Sequence, residues 1–201
     1  MNLPNKITFL RIVIALIIVL ILLFPFDSAG IITYKIFVNE SIVVDIKYII
    51  VGILFVLASV TDFFDGYFAK KLNCCTDFGK MMDAVADKVL IDSVLVLLAT
   101  IGFIHPVIAV VVIIRDIAVD SIKRYAASKG LVLGSIKLAR VKTILFMVSI
   151  SMILFYNLPF ELLNLKIADI ILVVATIISV VSGIEYYSFM NKVLKVNHKG
   201  V

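Results

Sequence analysis

Four aspartates carry the chemistry that this sequence offers: Asp62, Asp65, Asp83 and Asp87, within TDFFDGYFAKKLNCCTDFGKMMDAVADK. Asp62 and Asp65 are three residues apart, and Asp83 and Asp87 four apart. On a helix both spacings put the pair on one face. A turn over Leu72–Thr76, carrying Asn73, returns the second helix antiparallel to the first, so the four carboxylates can converge across one hairpin. Without counter-charge they would repel one another. Hard oxygen donors of this kind suit Mg²⁺ or Mn²⁺, and such ions also leave positions open for phosphate oxygens. Gly66 follows Asp65, and Gly79 precedes Asp83 by four residues on the same face. With Ala69 and Ala86 they give a small-residue surface against which a helix or a bulky ligand can close. Taken singly, each acid also reads as a solvated helix end paired with Lys70, Lys71, Lys80 or Lys88, and Asp77 as a helix cap. Two facing pairs flanked by two glycines favour a site.

The helices that position these acids stand in lipid. Of 201 residues, 63% are hydrophobic, whereas soluble domains run at about half. Six apolar segments follow one another: Thr8–Phe26, Lys47–Lys70, Gly79–Phe103, Pro106–Ser128, Lys137–Tyr156 and Lys166–Asn191. Each can supply the roughly 20 residues of a spanning helix. An open sheet would strand backbone polar groups in lipid, and a barrel would show short alternating strands instead of long runs. No repeat, low-complexity tract or long linker divides the chain. The expectation is an all-α, polytopic bundle of six transmembrane helices in one domain, residues 1–201.

With six crossings and a cytoplasmic N-terminus, 16 of the 19 Lys and Arg fall inside and three, Lys35, Lys47 and Lys166, outside. That bias puts both termini in the cytoplasm and makes the cell membrane the expected location. It also accounts for the net charge of +5 without nucleic acid. Only 14 uncharged residues separate Lys47 from Asp62, too few to cross. The second helix therefore continues through Asp62 and Asp65, leaving the acids at the cytoplasmic boundary, where ionisable groups read as functional.

The remaining features are quieter. The basic, apolar N-terminus resembles a signal peptide but lacks a clear cleavage pattern, and reads as a retained first helix. Cys74 and Cys75 are adjacent, a strained geometry for a disulfide. They have no histidine partners for zinc and read as turn filling. His105, beside Pro106, reads as a loop residue, and His198 lies in the basic tail. Asp92 is offset from the motif face and reads as a supporting or interhelical hydrogen-bond partner. Tyr186, Tyr187 and Phe189 read as an interfacial aromatic belt, with Glu185 available to a basic residue across the bundle.

The acidic segment is similar to the signature of the CDP-alcohol phosphatidyltransferases, D-x2-D-G-x2-A-R-x8-G-x3-D-x3-D. Here Asp62, Asp65, Gly66, Ala69, Gly79, Asp83 and Asp87 keep every spacing, and Lys70 replaces the arginine. Lysine keeps the charge but not the planar fork that grips phosphate. Within the family the chain most resembles the branch whose acceptor is sn-glycerol 3-phosphate. The opening Leu3-Pro4-Asn5-Lys6-Ile7-Thr8 with Leu10-Arg11-Ile12, the run Asp83-Ala84-Val85-Ala86-Asp87-Lys88 and Ser182-Gly183-Ile184-Glu185-Tyr186 carry that likeness. Farther along it loosens: Arg115-Asp116 with Lys123, and Ala139-Arg140-Val141-Lys142-Thr143, stand at positions where the branch has R-E, arginine and G-K-x-K-T.

The resemblance implies displacement of CMP from CDP-diacylglycerol by an alcohol, with two Mg²⁺ or Mn²⁺ ions. Asp62, Asp65 and Asp83 would hold metal. Asp87, a fourth member of the ligand set, would take the proton of the acceptor hydroxyl. Asn5, Thr8, Gly66, Ala69, Lys70 and Gly79 would line the CDP pocket, and Arg115, Lys123, Arg140 and Lys142 would hold the acceptor phosphate. A homodimer is also implied. Seven basic residues against two acids between Arg115 and Lys142 suit an anionic acceptor, though the same lysines also serve inside-positive topology. Phosphatidylglycerol, giving cardiolipin, or an inositol phosphate would need similar chemistry. A cation transporter using the four acids as its path is the reading from another class, and their placement at one end of the bundle argues against it.

Overall fold

The computed structural model describes the chain except residues 1–2, 27–28, 31–33, 39–41, 72–76, 131–133, 135, 164 and 198–201. At 3–6, 38, 42, 63–71, 77–78, 80 and 192–197 it describes the backbone alone. The expected turn at Leu72–Thr76, with Asn73, Cys74 and Cys75, and His198 therefore lie outside the described residues. So do the side chains of Asn5, Asp65, Ala69 and Lys70 and the surroundings of Gly66, although all five residues fall on helical backbone.

Long helices make up the bundle: α1 (Leu3–Leu23), α2 (Ile46–Lys71), α3 (Asp77–Ile101), α4 (Pro106–Ser128), α5 (Lys137–Leu154) and α6 (Ile167–Asn197). They match the six apolar segments to within a few residues at most ends. The helical reading omitted one feature, an antiparallel hairpin of β1 (Lys35–Val38) and β2 (Ile42–Asp45) that pairs Lys35 with Asp45 and Val38 with Ile42. Around the bundle the neighbours run α1, α2, α5, α6, α4, α3 and back to α1, and α3 also touches α5 across the middle. Phe55, Leu90, Leu95, Leu98, Phe146 and Ile150 fill that middle and are fully buried.

Local chemistry sets the helix ends. Gly102 (φ 92°) lies just past α3, and its N–H and that of Phe103 both donate to the Leu98 carbonyl, a left-handed stop that favours glycine. His105 caps α4: its Nδ1 accepts the Val107 N–H at 3.3 Å, with Pro106 in the first turn. Asn157 joins α5 to α6. Its amide donates to Leu165 O at 2.6 Å and Glu161 Oε2 at 3.0 Å, and its Oδ1 accepts the Ala168 N–H at 3.2 Å. Beside it Tyr48, Phe103 and Tyr156 stack edge to face, and the Tyr156 hydroxyl accepts the Asp45 N–H at 3.0 Å. These contacts close the end of the bundle opposite the acids.

The bundle is apolar outside and partly polar within. Leu16, Leu20, Leu57, Ile114, Ile144, Ile177 and Ile184 are exposed, while Thr8, Arg11, Lys142, Ser149, Ser179 and Ser182 are buried. Among the described residues, Ile167–Asn191 alone is long and apolar enough to cross a membrane by length and composition. Charged residues interrupt the longer apolar runs of α2, α3, α4 and α5.

Candidate active site

The acids of α2 and α3 meet at a residue of α1. Arg11, whose side chain is wholly buried, places Nη1 2.8 Å from Asp62 Oδ1, 2.9 Å from Asp83 Oδ1 and 3.2 Å from Asp87 Oδ1. A guanidinium removed from water needs counter-charge, and here a single nitrogen faces three carboxylates. The cluster nevertheless stays acidic overall. One oxygen from each acid lies within 4.8 Å of the other two, so this half-buried, all-oxygen set fits a hard divalent cation. Asp65 lies three residues after Asp62 on the α2 backbone. Thr8 is buried on α1, three residues before Arg11, and Gly79 lies in the first turn of α3.

Arg11 was legible as part of a motif but not as a member of the site. One signal pointed to it: it is the sole charge within the apolar run Thr8–Phe26, and a lone charge in such a run has to find a partner inside the bundle.

A cavity of about 200 Å³ opens beside the cluster. Asp87 lines one wall, and Asp92, Arg115, Asp116, Lys123 and Lys142 line the others. The acid cluster and the basic stretch therefore share one space, bounded by α3, α4, α5 and α6. Asp116 Oδ1 organises the far wall, accepting from Arg115 Nη1 at 2.6 Å and Lys142 Nζ at 2.5 Å. Arg115 is committed further. Its Nε donates to Ser179 O at 2.8 Å and its Nη2 to Ser182 Oγ at 2.5 Å, which fastens α4 to α6. Gly183 makes room for it, since a Cβ there would lie 3.2 Å from Arg115 Cγ.

Toward the mouth, Lys88 pairs with Asp120, and Lys123 sits 4.9 Å above the Tyr186 ring. The Tyr186 hydroxyl accepts the Ile136 N–H at 3.1 Å and faces Gly134 O at 3.3 Å, holding the approach to α5. Of the basic residues singled out in the sequence, Arg115, Lys123 and Lys142 line the cavity. Arg140 is exposed on α5, away from its lining. The roles of Asp116, Ser179 and Ser182 were not anticipated, because each depends on a contact between helices.

The profile of the CDP-alcohol phosphatidyltransferases matches residues 1–181. The chain belongs to this family. Several of its relatives match over nearly their whole length. It is 39% identical over 197 residues to the CDP-diacylglycerol–glycerol-3-phosphate 3-phosphatidyltransferase of Bacillus subtilis, covering 98% of this chain and 99% of that one. The protein of the same name from Rickettsia felis is 33% identical over 192 residues, covering 95% of this chain and 96% of that one. The Mycoplasma pneumoniae protein of that name is 32% identical over 151 residues, covering 75% and 66%. The family signature, Asp62 to Asp87, coincides with the place where α2 and α3 bring carboxylates together against Arg11 of α1.

Proposed function

We propose that this protein transfers the phosphatidyl group of CDP-diacylglycerol to sn-glycerol 3-phosphate, releasing CMP and phosphatidylglycerol phosphate. One observation carries the reading: a single cavity runs from Asp87 of the acid cluster to Lys142, Lys123 and Arg115. An acceptor that bears both a hydroxyl and a phosphate needs such a space, with a base at one end and cations at the other. The names of the full-length relatives support the same substrates.

In the reaction, the acceptor hydroxyl oxygen bonds to the phosphorus that carries diacylglycerol. The bond from that phosphorus to the bridging oxygen breaks, and CMP leaves with its electron pair. Asp87 lines the cavity and takes the hydroxyl proton, which requires the hydroxyl within hydrogen-bond reach. Divalent ions held by Asp62, Asp65, Asp83 and Asp87 would neutralise pyrophosphate charge and stabilise the leaving phosphate. Lys142 and Lys123 supply positive charge for the acceptor phosphate. Arg115 has three of its nitrogens engaged by Asp116, Ser179 and Ser182, so it frames the pocket. Gly66, Ala69, Lys70 and Gly79 are assigned to the CDP side by the signature, and Asn5 and Thr8, at the start of α1, are placed there as its polar contacts.

We place the whole chain in the cell membrane as one six-span domain, with both termini and the acid cluster on the cytoplasmic side. The apolar exterior and the polar residues buried within support this, as does the inside bias of Lys and Arg. The charges that break the apolar runs of α2 to α5 lie within the cluster, around the cavity or at the same end of the bundle. The test is incubation of purified protein with CDP-diacylglycerol, Mg²⁺ or Mn²⁺ and a panel of acceptors, with lipid products identified by mass. Phosphatidylglycerol phosphate should form with glycerol 3-phosphate. Turnover only with phosphatidylglycerol or an inositol phosphate would reassign the acceptor, and metal flux without CMP release would revive a transporter.

A further inference from the structure

We propose that Arg11 is a resident counter-cation of the acid cluster and competes with divalent metal for Asp62, Asp83 and Asp87. The inference rests on the metal-dependent reading above. Its basis is that one atom, Nη1, lies within 3.2 Å of an oxygen on each of the three acids. That atom sits at the point the three carboxylates share. A divalent ion bound by the same oxygens at about 2.0–2.1 Å cannot occupy that point as well. If the ion instead uses the second oxygen of each acid, it still comes to rest a few ångströms from a buried guanidinium, and like charges at that range in a poorly screened setting repel strongly.

Two consequences follow. The first concerns affinity: the protein binds metal more weakly than its donor set alone would allow. The second concerns the metal-free state. Arg11 links α1 to α2 and α3 through these ion pairs, so the bundle holds its acids together before any ion arrives. Remove the guanidinium, and metal becomes the principal countercharge at that junction. Metal should then stabilise the variant more than it stabilises the wild type, because a ligand bound only to the folded form raises stability with the logarithm of its concentration over Kd.

The experiment uses the full chain in detergent micelles. Mn²⁺ uptake is followed by electron paramagnetic resonance, and thermal unfolding is measured with and without Mn²⁺, for wild type, Arg11→Met and Arg11→Lys. Arg11→Met should bind Mn²⁺ more tightly by about tenfold or more, the scale set by removing a like charge a few ångströms from a bound cation. It should unfold at a lower temperature than wild type without metal, and that gap should shrink when Mn²⁺ is added. Arg11→Lys should fall between the two. Should Arg11→Met not fold, Arg11→Lys decides: tighter binding than wild type supports the proposal, and equal or weaker binding overturns it. Wild-type protein that binds Mn²⁺, with an unchanged or weaker affinity in Arg11→Met, overturns this inference alone. Wild-type protein that takes up no Mn²⁺ removes the metal-dependent reading and this inference with it.

Discussion

Replacing Lys142 with methionine separates what this buried side chain does for the fold from what it does for the acceptor. Methionine keeps the length and the apolar stem and removes the charge. In the fold, Lys142 Nζ donates to Asp116 Oδ1 at 2.5 Å. Losing one charge-assisted hydrogen bond costs about 1.5–3 kcal/mol. The larger loss of about 3–5 kcal/mol for orphaning a buried charge does not apply, because Asp116 keeps Arg115 at 2.6 Å. In the cavity, losing a contact of similar strength to the acceptor phosphate raises KM by about 10- to 100-fold at 1.4 kcal/mol per tenfold. The contact forms before and during reaction alike, so kcat should change little. The assay is CMP release against glycerol 3-phosphate concentration at saturating CDP-diacylglycerol, beside thermal unfolding. An unchanged KM with kcat reduced in step with the folded fraction would refute the assignment and leave Lys142 a structural partner of Asp116. Lys142→Arg, which keeps the charge, should recover most of the stability.

Gly183→Ala should raise the acceptor KM several-fold with little change in melting temperature: alanine gains about 1 kcal/mol of helix propensity, while its Cβ, 3.2 Å from Arg115 Cγ and 3.4 Å from Nε, shifts that side chain. Asp87→Asn should lower turnover by about 10²- to 10⁴-fold, the usual worth of a general base. It should keep Mn²⁺ and CDP binding better than Asp62→Asn does, as read by titration. Asn157→Ala removes three hydrogen bonds at the opposite end of the bundle and should cost about 1–3 kcal/mol. CMP release per folded molecule should stay at the wild-type level.

The helices were legible because each is a long apolar run, and Asp62, Asp83 and Asp87 because spacings of three and four residues keep a pair on one face. What escaped depended on contacts between distant segments. The β1–β2 hairpin has strands of only four residues, too short for an alternating pattern to stand out. Arg140 and Lys142 read alike in sequence, but two residues turn a helix by about 200°, so packing against α4 and α6 buries Lys142 and leaves Arg140 exposed. Asp116 looked like a minority acid in a basic stretch. Its importance comes from two cations brought to one oxygen, one from α4 and one from α5.

The grip of Arg115 on α6 bears on how the chain is made. Its partners Ser179 and Ser182 lie 64 and 67 residues farther along. At about 5–20 residues per second, synthesis takes roughly 3–13 s to reach them. For a helix of a bundle placed in a membrane, as proposed above, that is a long interval with a guanidinium awaiting its partners. Asp116, the next residue, is a counter-charge present from the start, so the adjacent pair can hold the guanidinium until those partners arrive. Among the described residues, α6 is also the helix long and apolar enough, by length and composition, to cross a membrane. Its arrival completes the bonds of Arg115, so α4 is fastened only once α6 is in place.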